Sequence, residues 1–592
     1  MTTPRVSLQW SVSTGLCVLA LLAVCGGLGP ARARAATPDL LAQNAAGLAD
    51  AISVEWSRSL NSSGDIVNPI SHEIEGGYGR TMLAYGMLRA NERNPKLNLL
   101  GIMQQAVRRS DDVTSAPFNL LGLSEILLHA AGHLQTSVTQ ELSRSILSDT
   151  PFAGRTASPC VNSAQCYYNK TLVHTTALLA SLQAMPGQSG RGPTSLSSRA
   201  TAAQDALELL SRTIPHVEIP DARLTVGPTR LVGAVLSDPT ANPTAYLALS
   251  TMMLGRALQF YPGPPAPALL AFQRAVVAVL GLAAPDGDIS YMGRGQGQVW
   301  TFATAAASCA LAMRLLSGHA SIVSRCEGLV ATELSSLAAR RELGGFGIAT
   351  VPRVNWTHGE GVDHYANPID YNGLSVYALN VTADVLTGLP DPGALATPGA
   401  VSGSRFLDPL GSGLASTSLN GLWFAVHKQS TNVADSRWGF GLMAMERDGS
   451  DGWTSSLTPR PLGRTSQGPT LILHGRRYEP VGTSLHVSAG RIVVEGGWAT
   501  GHAFVRAASF VYQGTPAGVV LRVRARKGDR LVIRDWALPG SASALSILRP
   551  TRAHVVTRSF ASAGDDLSSR LIGFSHTVTV RRSGVLEMLW RG

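Results

Sequence analysis

Residues 355–373, Asn-Trp-Thr-His-Gly-Glu-Gly-Val-Asp-His-Tyr-Ala-Asn-Pro-Ile-Asp-Tyr-Asn-Gly, bring two histidines, two tyrosines, three asparagines and three carboxylates into nineteen positions. Imidazoles and carboxyls exchange protons near neutral pH, and a tyrosine can donate a proton or, beside a cation, accept one, so the set is suited to acid–base chemistry. Asn, Asp, Gly and Pro also make ordinary turns. A solvated loop, however, has little need of His358, His364, Tyr365 and Tyr371 together. A second stretch, Asp286 to Trp300, presents Asp288, Tyr291, Arg294 and Trp300 among glycines. Those glycines resemble a dinucleotide fingerprint only superficially, because the flanking text is helical and offers no preceding strand. A loop opening a helix is the better reading, with backbone amides able to help hold an anion. Packing is the competing role. A third stretch, Tyr167-Tyr168-Asn169-Lys170 with His174 beyond it, offers Asn169 as a helix cap or as a donor to a substrate carboxylate. Ser71 to Arg80, which includes Glu75, is a cleft wall or a surface loop.

The elements around these stretches fall into two kinds. From about 38 to 388 the pattern is helical, as where Tyr246, Leu249, Met253, Ala257 and Phe260 recur at steps of three and four. About a dozen helices are expected, including one near 198–213. Short links favour antiparallel neighbours, which stack into a superhelix or close into a toroid with a central cleft. No fixed repeat period supports an open solenoid. Residues 387–403, rich in Gly and Pro, read as a linker. Beyond it the period is two, as in Val519 to Arg526 with its Lys527-Gly528-Asp529 turn. The expected fold is therefore α+β and multidomain: a toroid over 36–386, and an antiparallel β-sandwich over 404–592.

Residues 1–35 read as a secretory signal, with Arg5, an apolar run from Leu16 to Leu28 and a small-residue cleavage pattern at Ala33-Arg34-Ala35. The run is too short for a membrane span, and no later stretch is long enough. Cleavage near Ala35 makes the expected product a secreted one, extracellular or periplasmic. It lowers the formal charge from +10 to +7, which favours anionic partners. Four cysteines then stay behind, and export allows disulfides Cys160–Cys166 and Cys309–Cys326. Neither spacing is that of a zinc knuckle, so no metal and no cofactor is expected. Motifs of the serine hydrolase elbow, P-loop, zinc protease and EF-hand are absent from the sequence.

A helical toroid followed by an antiparallel β domain, in a basic exported chain, resembles the polysaccharide lyases of the hyaluronate/chondroitin lyase and heparinase II/III type. The local resemblance rests on Gly361-Val362-Asp363-His364, then Tyr371-Asn372-Gly373 and Tyr377. It implies His364 in the family's histidine role and Tyr371 or Tyr377 as the catalytic tyrosine, with Asn169 and Arg294 neutralising the substrate carboxylate. Trp300, Trp356, His358, Glu360, Tyr365, Tyr291 and Asn372 are then expected to bind sugar. The gap from His364 to the tyrosines is longer than in the hyaluronate lyases, their paired-tryptophan motif is missing, and Arg294 precedes rather than follows the His/Tyr segment. A relative, not a member, is implied. The expected function is a lyase that cleaves an acidic, uronate-containing polysaccharide by β-elimination, with no nucleic-acid partner. The alternatives are a glycoside hydrolase on the same toroid, using Glu360 and Asp363 with Asp288 or Glu75 opposite, and a non-catalytic glycan-binding protein using Trp300 and Trp356 as platforms.

Overall fold

The computed structural model describes residues 36–61, 63, 65–67, 79–107, 116–130, 134–157, 168–184, 214, 217–238, 242–261, 263–341, 368–428, 439–450, 452–455, 468–500, 503–537, 541–548, 553–561 and 572–591. The expected signal over 1–35, the stretch 198–213 and the pair Cys160–Cys166 lie outside them. Among the described residues no helix is long and apolar enough to cross a membrane.

Eleven helices are described. Six of them form an inner ring: α2 (Gly79–Arg93), α4 (Ala116–Ala130), α6 (Tyr168–Ala184), α7 (Thr244–Phe260), α9 (Trp300–Leu315) and α11 (Pro368–Leu386), each packed on the next, with α11 returning to α2. The other five, α1 (Pro38–Ser57), α3 (Leu100–Val107), α5 (Thr136–Ala157), α8 (Ala266–Leu282) and α10 (Ala320–Ala339), pack outside that ring. The division is visible in the residues. In α7 the face from Tyr246 to Phe260 is buried, but so is nearly every other side, because neighbours press on it all round. Outer α8 instead leaves Leu270 43% exposed.

The six inner helices point the same way, since starts meet starts and ends meet ends. Gly79 N–H donates to Asp370 Oδ1 (2.9 Å) and Thr81 Oγ1 to Asn119 Oδ1 (3.3 Å) at the starts of α2, α11 and α4. Far along the same helices Arg93 donates to Asn380 (2.8 Å), and Arg89 lies 2.9 Å from His129 Nδ1. Thr176 donates to the Met253 carbonyl (2.8 Å) and Gln183, seven residues on, to that of Phe260 (2.5 Å), which sets α6 parallel to α7.

An ionic network fills the ring's interior. Glu125 Oε1 on α4 accepts from Arg256 Nε (3.1 Å) and Nη2 (2.6 Å) on α7 and from the Tyr377 hydroxyl (3.1 Å) on α11. Farther along, Tyr85 and His129 approach to 3.5 Å, and Arg89 pairs with Glu92 (2.6 Å) and Asp384. Burial pulls the Arg256 guanidinium down, but the adjacent Glu125 carboxylate outweighs it, and the group stays charged.

The β part contains two antiparallel sheets. A hairpin within the helical half, β1 (Glu218–Val226) and β2 (Thr229–Leu236), was not expected among helices. Its Leu224 and Val226 alternate with Arg223 and Thr225 before a Gly227-Pro228 turn, a period-two pattern as plain as that of later strands. Through β1 it pairs with β3 (Arg405–Asp408) and joins a seven-stranded sheet with β4 (Leu414–Leu419), β5 (Leu422–His427), β6 (Gly441–Gly449) and β7 (Gly452–Ser455). The second sheet has ten strands in the order β14-β17-β12-β11-β10-β9-β8-β13-β16-β15. These are β8 (Thr470–Leu473), β9 (Arg476–Ser488), β10 (Arg491–Thr500), β11 (Ala503–Thr515), β12 (Gly518–Ala525), β13 (Arg530–Ala537), β14 (Leu545–Leu548), β15 (Ala553–Ala561), β16 (Ile572–Val580) and β17 (Gly584–Arg591). Its two edge strands are consecutive in the chain. The link from Leu548 to Ala553 can span no more than about 18 Å, so the edges come round toward one another and the sheet is a nearly closed barrel. This corrects the expected β-sandwich. The seven-stranded sheet packs through β3–β5 on β9–β11, around Phe424, Phe440, Trp498, Phe510 and Tyr512. Each such side chain contributes roughly 1.5–3 kcal/mol on burial.

Residues 387–403, the expected linker, run against α10. Leu395 N–H donates to the Ser324 carbonyl (2.9 Å), Ser324 Oγ to the Pro392 carbonyl (3.1 Å), and Thr332 and Thr397 hydroxyls meet at 2.7 Å, which straps the segment along α10. Beside it lies a carboxylate-rich seam between toroid and sheet. Asp286 N–H donates to Glu446 Oε2 on β6 (3.1 Å), Asp288 Oδ1 accepts from Ser290 N–H and Oγ (both 2.6 Å), and Arg340 pairs with Asp286 (2.8 Å). Glu333 lies against Gly287, fully buried, with no hydrogen-bond partner for either oxygen among the described residues.

The other expected disulfide does not form. Cys309 on α9 and Cys326 on α10 are buried free thiols, and burial raises Cys309 well above the ordinary thiol range, with its neighbour Cys326 adding to the shift. Close spacing in sequence permitted a bridge, but here the two sulfurs serve as small apolar filling between two packed helices.

Candidate active site

Because the inner helices run parallel, six N-termini gather at one end of the ring, its mouth. Each leaves its first backbone N–H groups outside the helical ladder and carries a partial positive charge. Anions are favoured there. Onto this mouth the sequence places Asn169 and Lys170 at the start of α6, Tyr246 on α7, Trp300 on α9, and Tyr371 and Asn372 on α11.

Aromatic and charged groups connect these starts. Trp300 and Tyr371 stack nearly parallel, with centroids 5.5 Å apart and an 8° tilt. Tyr246 meets Trp300 edge-on at 5.5 Å, and the Arg294 guanidinium lies 4.3 Å over the Tyr246 ring. Arg294 also pairs with Asp238 at 2.6 Å. Burial pushes the Asp238 carboxyl up to about 6, although Arg294 and Lys170 pull it the other way. The loop that presents Arg294 turns through three positive-φ glycines, Gly293, Gly295 and Gly297, a conformation that glycine adopts without steric cost. Its direction is fixed further by Thr244, which donates to the Met292 carbonyl through both N–H and hydroxyl (both 3.2 Å).

The expected site residues therefore divide. Asn169, Arg294, Trp300, Tyr371 and Asn372 come to the mouth. There Asn169, the second residue of α6, accepts from the Lys170 N–H (2.6 Å), and Asn169, Trp300, Tyr371 and Asn372 are all buried. Tyr291 and Tyr377 are elsewhere. Tyr291 is buried at the seam, its hydroxyl donating to the Leu282 carbonyl (2.9 Å) and its ring edge-on to Trp423. Tyr377 is fully buried on Glu125, and burial, then Glu125, holds its phenol well above the ordinary value. Both hydroxyls are engaged within the fold, Tyr291 with Leu282 and Tyr377 with Glu125. Asp288, one proposed opposing carboxylate, is also at the seam. Trp356, His358, Glu360, Asp363, His364, Tyr365 and Glu75 lie outside the described residues.

Two members of the mouth were not picked out beforehand. Asp238 sits alone after β2, and Tyr246 reads as one more apolar position on a helix face. The only sequence signal was the Asn242-Pro243 break before Thr244, which marks a helix start. Among the described residues no cluster of His, Cys, Asp or Glu could hold a metal ion.

No protein-family profile and no curated protein matches this chain. Among solved structures, it is similar to an unsaturated glucuronyl hydrolase from Streptococcus agalactiae, at 14% identity and a TM-score of 0.40, over 59% of this chain and 93% of that one.

Proposed function

We propose that this chain is a secreted enzyme that cleaves an acidic, uronate-containing polysaccharide at the mouth of the helical ring by β-elimination. The observation that carries the reading is the convergence of six helix N-termini with Arg294, Lys170 and Tyr371 at that mouth. A uronate carboxylate entering there meets oriented N–H groups and cations. Neutralising it makes the proton on the adjacent C5 removable, because the negative charge that develops is delocalised onto the carboxylate. Tyr371 is the proton carrier. As phenolate it takes the C5 proton, the C4–O bond breaks, and the same phenol returns a proton to the leaving oxygen. Stacking on Trp300 fixes the plane of the Tyr371 ring. His364, seven residues before Tyr371 in the chain, shares the work of neutralisation.

One observation favours a second reading, hydrolysis. Asp238, with its carboxyl raised to about 6, is suited to donate a proton to a leaving glycosidic oxygen, with Glu360 or Asp363 as its partner. The experiment follows product chemistry on a panel of uronate polymers. Elimination forms a C=C bond conjugated with the carboxylate, so ultraviolet absorbance rises with each cut. Tyr371→Phe is expected to lower that rate by at least about 100-fold with an unchanged circular dichroism spectrum. New reducing ends without absorbance, abolished by Glu360→Gln, would overturn elimination in favour of hydrolysis. Polymer bound but never cut would overturn both in favour of a glycan-binding protein.

A further inference from the structure

The positive charge of this protein lies on its β part, away from the ring. Residues 404–592 carry 23 Lys and Arg against 12 Asp and Glu, a formal +11. Residues 36–403 carry 23 against 27, a formal −4. The field that draws an anionic polymer from a distance therefore centres on the barrel. On the barrel's solvent face is an open groove of about 910 Å³ across β9, β10, β11, β12 and β17. Strand pairing sets Arg491, Val493 and Glu495 on β10, Ser509, Val511 and Gln513 on β11, and Arg522 and Arg524 on β12 on one face of the sheet.

The other polar groups of this groove are already engaged. Glu495 accepts from Ser509 (2.8 Å), Gln513 donates to the Gly490 carbonyl (3.0 Å), and Arg522 pairs with Glu587 (2.9 Å). Arg491 and Arg524 have no acidic partner among the described residues, and both are exposed. Arg491 lies opposite Gln513, and Arg524 falls in the row of Glu495 and Ser509, so they stand two strands apart and four residues along, about 16 Å between backbones. Guanidinium groups so placed hold planar carboxylates or sulfates by paired N–H donors.

We propose that this groove is an accessory site for the anionic polysaccharide, with Arg491 and Arg524 gripping acidic groups of one polymer strand. The identity of the polymer rests on the reading given above; the site itself is separate from the mouth. It retains long chains near the enzyme, and short oligosaccharides gain nothing from it. The test is native affinity electrophoresis of the full mature chain carrying Tyr371→Phe, in gels containing hyaluronate or, as a neutral control, dextran. Arg491→Ala with Arg524→Ala is expected to weaken retardation by hyaluronate at least about fivefold. Arg530→Ala with Arg558→Ala, matched in charge on other strands of the barrel, is expected to change it less than about twofold. Equal loss in the two pairs means net charge alone binds the polymer, and unchanged retardation in the groove pair means the groove does not bind; either result overturns the proposal. Retention by the groove of a polymer that wild-type protein never cuts leaves the accessory site standing and removes the lyase.

Discussion

Glu125 at the ring axis and Glu333 at the seam are both fully buried, yet one faces Arg256 and a phenol while the other faces Asp286 and Asp288 across Gly287. A buried carboxylate must be matched by a cation or give up its charge. At the axis Arg256 does the matching, backed by Tyr377. At the seam Arg340 is the only cation acting on these groups among the described residues, and burial and mutual repulsion raise Glu333, Glu446 and Asp288 above the ordinary carboxylate range. The axis pairs its carboxylate with a cation, while the seam crowds carboxyls whose charged forms burial disfavours.

The axis should break hardest. Arg256→Met leaves Glu125 buried without its cation and is expected to destabilise the protein by about 3–5 kcal/mol, read by urea unfolding. Adding Glu125→Gln should recover much of that loss. If Arg256→Met alone costs nothing, the axis is not held by pairing.

Proton dependence is the next largest effect. Carboxyls raised in the folded state add stability that is full below their unfolded value, near 4, and is lost as pH rises through the folded value. Glu327, pushed up to about 7 by burial and then by Asp391, loses its own contribution between about 4 and 7. Urea midpoints should therefore fall as pH rises from about 4 to above 7, each group contributing at most about 1.4 kcal/mol per pH unit. Glu333→Gln should flatten this slope. A slope unchanged by that substitution would mean that Glu333 takes no part.

The smallest effect has the opposite sign. Burial, then Arg89, lowers His129 at the axis. A depressed histidine contributes stability that is present above its unfolded value, near 6.5, and is lost as pH falls. His129→Gln should remove that loss, worth under about 1 kcal/mol because the ring is partly exposed, and leave the seam's slope intact.

Much of this architecture was legible from period alone. Helical spacing between 38 and 388 led to about a dozen expected helices, of which eleven are described, and alternation marked β12 and the β character of the chain after 404. The hairpin at 218–236 escaped because helices surround it and its partner β3 lies far along the chain. Barrel closure escaped too, since strand order is decided by which edges meet and not by any one strand's residues. At the site, residue types pointed to Arg294 and Tyr371 but could not separate Tyr371 from Tyr377. Six positions along a helix turn a side chain from the ring's mouth into its interior. Asp238 carried no neighbouring motif, and its shift comes from burial that only the folded chain supplies.

Gly373 and Gly79 touch where the ring's last and first helices meet: a Cβ on Gly373 would lie 2.6 Å from the Gly79 carbonyl oxygen. Nearly three hundred residues separate the two. A chain that emerges N-terminus first must therefore hold the start of α2 uncapped until Asp370 arrives, and truncation just before α11 leaves the other five inner helices as an open ring. Folding of the helical half is thus tied to its completion, a high-contact-order step that favours slow folding and exposes the unfinished ring to aggregation and chaperones.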